Sequence, residues 1–89
     1  MYKRQDHPKS LDSASNLANR LADLGEHEEA RQLNEDTLTR RRRVLGEDHP
    51  NTLSSASNLA IRLAALGEHE QARQLREEVE ARRQAAKAR

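Results

Sequence analysis

The chain has 89 residues, 34% apolar and 35% charged, with a formal net charge of +1; this is room for one small domain and argues against a general polyanion- or membrane-binding surface. It has no Cys, Trp or Phe and a single Tyr, which excludes disulfides, thiolate metal sites and cysteine nucleophiles and leaves Leu, Ala, Val and Ile to build the core. The absence of Cys fits a reducing, cytoplasmic setting, and no apolar run is long enough for a membrane span or a signal-peptide core.

After a short extension over residues 1–5, the chain reads Asp6-His7-Pro8. A proline suits the first position of a helix, where no amide donor is needed, and an acidic residue just outside favours the positive helix end. Leu11, Leu17, Leu21 and Leu24, with Ala14 and Ala18 between them, recur at helical spacing and predict a helix over about 8–24. Gly25 predicts its left-handed stop. A second helix is predicted over about 27–45. It is acidic at its start (Glu26, Glu28, Glu29) and basic at its end (Arg40 to Arg43), which complements the helix dipole. Ala30, Leu33, Thr37 and Leu38 mark its buried side, and Gly46 ends it.

The pattern then repeats with an offset of 42: Asp48-His49-Pro50 matches Asp6-His7-Pro8, and Leu66 to Glu70 matches Leu24 to Glu28. A third helix is predicted over about 50–66, with Leu53, Leu59, Leu63 and Leu66 on its stripe and Ala56 and Ala60 between. A fourth over about 69–87 is read with Ala72, Leu75 and Val79 inward. Its later residues depart from the first copy: Glu80 stands for Leu38, and Ala86 and Lys87 for Val44 and Leu45. Polar residues at formerly apolar positions fit a cap with one watered face. A fixed period of this size marks a solenoid, so we divide the chain into residues 6–47 and 48–89. The fold class is all-α: two antiparallel helix hairpins, four helices in all, stacked as a short solenoid.

Asn16-Leu17-Ala18, Leu21, Leu24-Gly25, Ala30, Leu33 and Leu38, repeated in the second copy, resemble the tetratricopeptide repeat. The 42-residue spacing and the Leu45–Leu53 linker "LGEDHPNTL" are similar to the longer variant of kinesin light chains and of bacterial, including actinobacterial, signalling proteins. Natural members of that family usually carry three or more repeats, so two copies imply a fragment or an engineered chain. Three family positions differ: His27 and His69 follow the glycine turns, Asn34 and Arg76 follow Leu33 and Leu75, and Ala14 and Ala56 stand early in the first helices, all in place of bulky residues.

The resemblance implies a non-enzymatic module that binds a peptide or helical segment in a groove lined by the first helix of each repeat. Carried over by position, the groove residues are Asp12, Ser15, Asn16, Asn19, Ala22 and Asp23, then Ser54, Ser57, Asn58, Ile61, Ala64 and Ala65. Asn16 and Asn58 match an asparagine whose amide can pair with a ligand backbone. The family's carboxylate clamp needs a lysine where this chain has Ser15, so no clamp is expected.

His7, His27, His49 and His69 show no metal-ligand spacing, and we read His27 and His69 as packing at the inter-helix turns. We read Arg40 to Arg43 as a solvated helix end pairing with Asp36, not as a nucleic-acid surface, since no aromatics accompany them. The carboxylate pairs Asp12 with Asp23 and Glu28 with Glu29 lack a nucleophile or cofactor motif, so no enzyme activity, cofactor or metal is expected. The rival to peptide binding is self-assembly, as a homodimer through exposed repeat faces or by hairpin exchange through the linker.

Overall fold

The computed structural model describes residues 8–88, with four helices and no strands among them: α1 (Pro8–Asp23), α2 (His27–Leu45), α3 (Pro50–Ala65) and α4 (His69–Lys87). Residues 1–7, including the predicted extension and the Asp6-His7 entry to α1, and Arg89 lie outside the described residues. Each helix packs chiefly on the next in sequence, α1 on α2, α2 on α3 and α3 on α4. The result is a slab only 17 Å through its thinnest dimension.

The punctuation works as simple backbone chemistry requires. Gly25 and Gly67 have φ of 85° and 84°. In the first turn, the Glu26 N–H donates to the Leu21 carbonyl (2.8 Å) and the Gly25 N–H to the Ala22 carbonyl (3.0 Å). Glu68 and Gly67 repeat this pair with Leu63 and Ala64, at 2.8 and 3.1 Å. This double bond pattern returns the chain sharply and satisfies the last carbonyls of the helix. At the start of α3, His49 is the cap residue: its Nδ1 accepts from the Asn51 N–H at 3.0 Å, with Pro50 in the first turn. His49 therefore does what Asp48 outside the helix was expected to do, through a hydrogen bond and not through charge alone.

The core is thin and centred on α3. Leu38, Leu53, Ala56, Leu59, Leu63, Ala72 and Val79 form one cluster, with Ala64 and Leu75 against it. Between α1 and α2 the buried apolar residues are Leu11 and three alanines, Ala18, Ala22 and Ala30. Alanine at these places lets helix backbones approach closely, at the cost of little apolar area removed from water.

Three expected stripe residues are exposed. Leu17 is 51% exposed, whereas its counterpart Leu59 is 7% exposed. The reason is neighbourhood: α3 lies between α2 and α4, whereas among the described residues α1 packs substantially on α2 alone. Leu24 is 78% exposed and Leu66 is also exposed, because both follow the last helical residue and point away from the packed faces. The histidines also divide. His27 is half-buried, as expected of a packing residue, but His69 is exposed. α2 is flanked on both sides and α4 on one, so the later histidine has less to pack against.

Surface charges are arranged along the helices. Arg31 pairs with Glu28 and Glu35, and Arg73 with Glu70 and Glu77, each about one turn away on the same helix. The hydrogen bond from Arg31 holds the Glu28 carboxyl below its ordinary range. That pairing favours the folded state above the unfolded carboxylate value and is lost as pH falls through the folded one. Such exposed pairs organise helix faces more than they stabilise the fold.

No atom stands within 4 Å of a Cβ built on Gly67, so any damage from substitution there comes from its positive φ alone. Thermal denaturation should show Gly67→Asn tolerated within about 1 kcal/mol and Gly67→Val costing roughly 2 kcal/mol or more, since a β-branched residue resists that conformation. Equal losses would mean the turn is not held in the left-handed region.

Candidate interaction surface

The first-helix residues divide into those used by the fold and those left to solvent. Asp12, Asn16, Asn19 and Asp23 of α1 are exposed and Ser15 is half-buried. On α3, Ser54 and Ile61 are exposed and Ser57 and Asn58 half-buried. Among the alanines of the same inferred set, Ala22 is buried and Ala64 packs against the core, so neither lines an open groove; Ala65 is exposed.

Four of these residues, Asn16, Ser54, Ser57 and Ile61, line three shallow clefts. Asn16 lies with Ser13, Leu17 and Arg20 on the outer side of α1. Ser57 and Ile61 share a cleft with Arg76, Val79, Glu80 and Arg83 of α4. Ser54 lies where the start of α3 meets the end of α4, beside Arg83 and Lys87. Asp12, Ser15, Asn19, Asp23 and Asn58 line none of these three.

Asp12 is already engaged. Arg41, read from the sequence as part of a solvated helix end, is only 5% exposed. Its Nη2 donates to Asp12 Oδ1 at 2.6 Å, and its Nη1 to Ser55 Oγ at 2.8 Å and to the Asn51 carbonyl at 3.3 Å. In return, Thr52 Oγ1 donates to the Arg41 carbonyl at 3.3 Å. One planar guanidinium thus ties α1, α2 and α3 together, which its fixed fork of donors suits. The expected pairing of the arginine run with Asp36 does occur, but through Arg40, at 2.8 Å. The signal for Arg41 lay in the helical period. Ala30, Asn34, Thr37 and Arg41 fall at i, i+4, i+7 and i+11, one stripe, and all four are buried. Within that stripe the Asn34 Nδ2 and Thr37 Oγ1 are buried without a hydrogen-bond partner.

The linker is pinned from α4 and from α2. Arg82 donates to Asp48 at 2.9 Å and Arg42 stands 3.0 Å from Glu47. Among the described residues no three His, Asp or Glu side chains gather in a group that could hold a metal ion, and no helix is long and apolar enough to cross a membrane. His7 lies outside the described residues.

A surface of polar side chains on two parallel-placed helices, each backed by a second helix, is a repeat architecture at the level of coordinates as well as sequence. A family comparison matches residues 6–85 to the tetratricopeptide repeat. The chain belongs to the tetratricopeptide repeat family. Among solved structures it is similar to the nearly identical TPR-like repeats of a Podosopora anserina protein provisionally called a kinesin light chain. The identity is 30% and the TM-score 0.86, over 98% of this chain and 41% of that one. The chain therefore spans about two fifths of the solved chain it matches. A search of curated proteins finds no match. Tetratricopeptide repeats serve in general as protein–protein interaction scaffolds without catalytic activity, and that general role is the one the family carries to this chain.

The Arg41 junction makes a direct prediction. Arg41→Met should lower stability by about 2 kcal/mol, because it leaves the buried Ser55 hydroxyl and its neighbours without their donor. Arg40→Met should change it by less than about 0.5 kcal/mol, since that pair is exposed. Urea denaturation of the two variants decides; equal effects would contradict the distinction.

Proposed function

We propose that this tetratricopeptide pair binds a peptide or helical segment of another protein, along the surface of α1 and α3 marked by Asp12, Ser15, Asn16, Asn19 and Asp23 and by Ser54, Ser57, Asn58 and Ile61. The observation that carries the reading is that these side chains stay outside the core, although α3 is its main contributor and α1 buries Leu11, Ala18 and Ala22. Asn16 and Asn58 make no side-chain hydrogen bond among the described residues, so each amide keeps a donor and an acceptor for a ligand backbone. Asp12 has two duties: its side chain remains 65% exposed while it pairs with Arg41. The setting we infer is cytoplasmic, in keeping with a chain without cysteine. Selection of binders from a random peptide display library tests this. The double variant Asn16→Ala, Asn58→Ala should bind the selected peptides about tenfold more weakly, as the loss of one to two hydrogen bonds requires. Unchanged affinity would contradict the reading.

A second reading has its own observation. The outer face of α1 exposes Leu17 and Leu24, whose counterparts on α3 are more covered. Two copies joined through these faces would make a two-fold homodimer with no further ligand. Light scattering should then give the mass of two chains, a melting temperature that rises with concentration, and a single-chain mass for Leu17→Glu. A single-chain mass for the unaltered protein at high micromolar concentration would contradict it.

A further inference from the structure

The Arg41 contact fixes one level of the groove between the hairpins: Asp12 of α1, Arg41 of α2 and Ser55 of α3 meet there. The chain reverses between α1 and α2 and again between α2 and α3. Seven residues forward on α1 and α3, and seven back on α2, therefore reach a second level on the same helix faces, roughly 10 Å away. That level holds Asn19, Asn34 and Arg62.

The two levels are alike in build and unlike in charge. At the first, a guanidinium finds a carboxylate. At the second, it finds only amides. Arg62 is half-buried and has neither an ion pair nor a side-chain hydrogen bond among the described residues, and its Nε is buried without an acceptor. Asn34 is 2% exposed, and its Nδ2 is buried without an acceptor as well. Thr37 Oγ1, one turn towards Arg41, is the third such atom on this side of α2 and α3. Asp23, one turn beyond Asn19, is exposed and makes no ion pair with Arg62.

Buried polar groups without partners are uncommon in folded proteins, and these share one chemical need. The Arg62 Nε–H and the Asn34 amide nitrogen can only donate, and the Thr37 hydroxyl can donate too. Water answers an amide but leaves the arginine charge unpaired. A carboxylate answers both: its two oxygens match the edge of a guanidinium and keep lone pairs for an asparagine amide. With Asp23 close by and Arg62 as the cation of this level, a singly charged group fits better than a phosphate dianion. Arg62 is only half-buried and Asn19 is exposed, so the level is open to a ligand from the groove side.

We propose that Asn19, Asn34 and Arg62 form a binding site for a carboxylate carried by a bound peptide, either an Asp or Glu side chain or a free C-terminus. This rests on the reading of α1 and α3 as a peptide-binding surface and gives that surface a charge preference. It is not the family's clamp, which needs a lysine where Ser15 stands. Here the cation comes from the later part of α3, and a buried amide of α2 backs it.

The probes are three tetrapeptides: acetyl-Ala-Asp-Ala-Ala amide, the same peptide with Asn for Asp, and that neutral sequence with a free C-terminus. Each is titrated into isotope-labelled protein at constant ionic strength. NMR follows the Arg62 Nε–H and the side-chain amides of Asn19 and Asn34. At least one charged peptide should saturate these signals with a Kd on the order of 1 mM, and the neutral peptide should bind at least about tenfold more weakly. The charged peptide that binds more tightly assigns the carboxylate to a side chain or to a C-terminus. Arg62→Gln should abolish the preference for charge, read at Asn19 and Asn34. Arg20→Gln, at the exposed counterpart on α1, should preserve it. Equal response to all three peptides, equal saturation at the Arg20 Nε–H, or no saturable response at about ten times that Kd would overturn the inference. So would a folded Arg62→Gln variant that still prefers charge, and the titration of the unaltered protein decides without either variant. If selected peptides bind through Asn16 and Asn58 while these charged probes do not, the peptide reading stands and the carboxylate site falls.

Discussion

The structure depends on one buried guanidinium. The two hairpins of this chain meet through α2 and α3, and their interface offers little apolar surface: alanine, serine and threonine are as frequent there as leucine. A contact of that kind can slide, because small residues packed on small residues define register weakly. Arg41 removes the freedom. Its donors reach Asp12 on α1, and Ser55 and the Asn51 carbonyl on α3, while its own carbonyl receives Thr52. Directional bonds of this sort fix an angle and an offset that dispersion alone leaves loose. The exposed position of Asp12 spares the pair much of the desolvation penalty of a fully buried ion pair.

The same interaction makes the two repeats unequal. The close likeness of the two copies would suggest two equivalent binding units, yet some of the residues that differ stand where one hairpin meets the next. Asp12 becomes Ser54, Asn34 becomes Arg76 and Leu38 becomes Glu80. The first repeat is completed by its neighbour. The second keeps the arginine, Arg83, without the carboxylate.

The helices were plain in the sequence because their ends are written in residues with strong backbone preferences. Pro50 cannot donate, and Gly25 and Gly67 take a φ that other residues resist, so these boundaries do not depend on tertiary context. Burial was less plain. The stripe through Leu17 and Leu59 shows which face is apolar, but not that α1 has one neighbour and α3 two. Arg41 was hidden by its run: four consecutive arginines look like a solvated end, and only the phase set by Ala30 and Thr37 shows which one turns inward. The candidate surface was legible as positions on α1 and α3 through resemblance to a family. Its division into separate clefts was not, since the cleft at Ser57 and Ile61 is half made of α4 side chains. A correlation between elements distant in sequence leaves no periodic trace in either one.

The most direct test is the coupling between Asp12 and Arg41, measured by a double-mutant cycle with Asp12→Asn, Arg41→Met and both together in urea denaturation. If Arg41 fixes the junction of the hairpins, the coupling should be about 1–2 kcal/mol and should persist in high salt, because the guanidinium is buried. A coupling near zero, or one that vanishes in 1 M salt as for an exposed pair, would contradict the account and return the stability of the stack to its leucines and alanines.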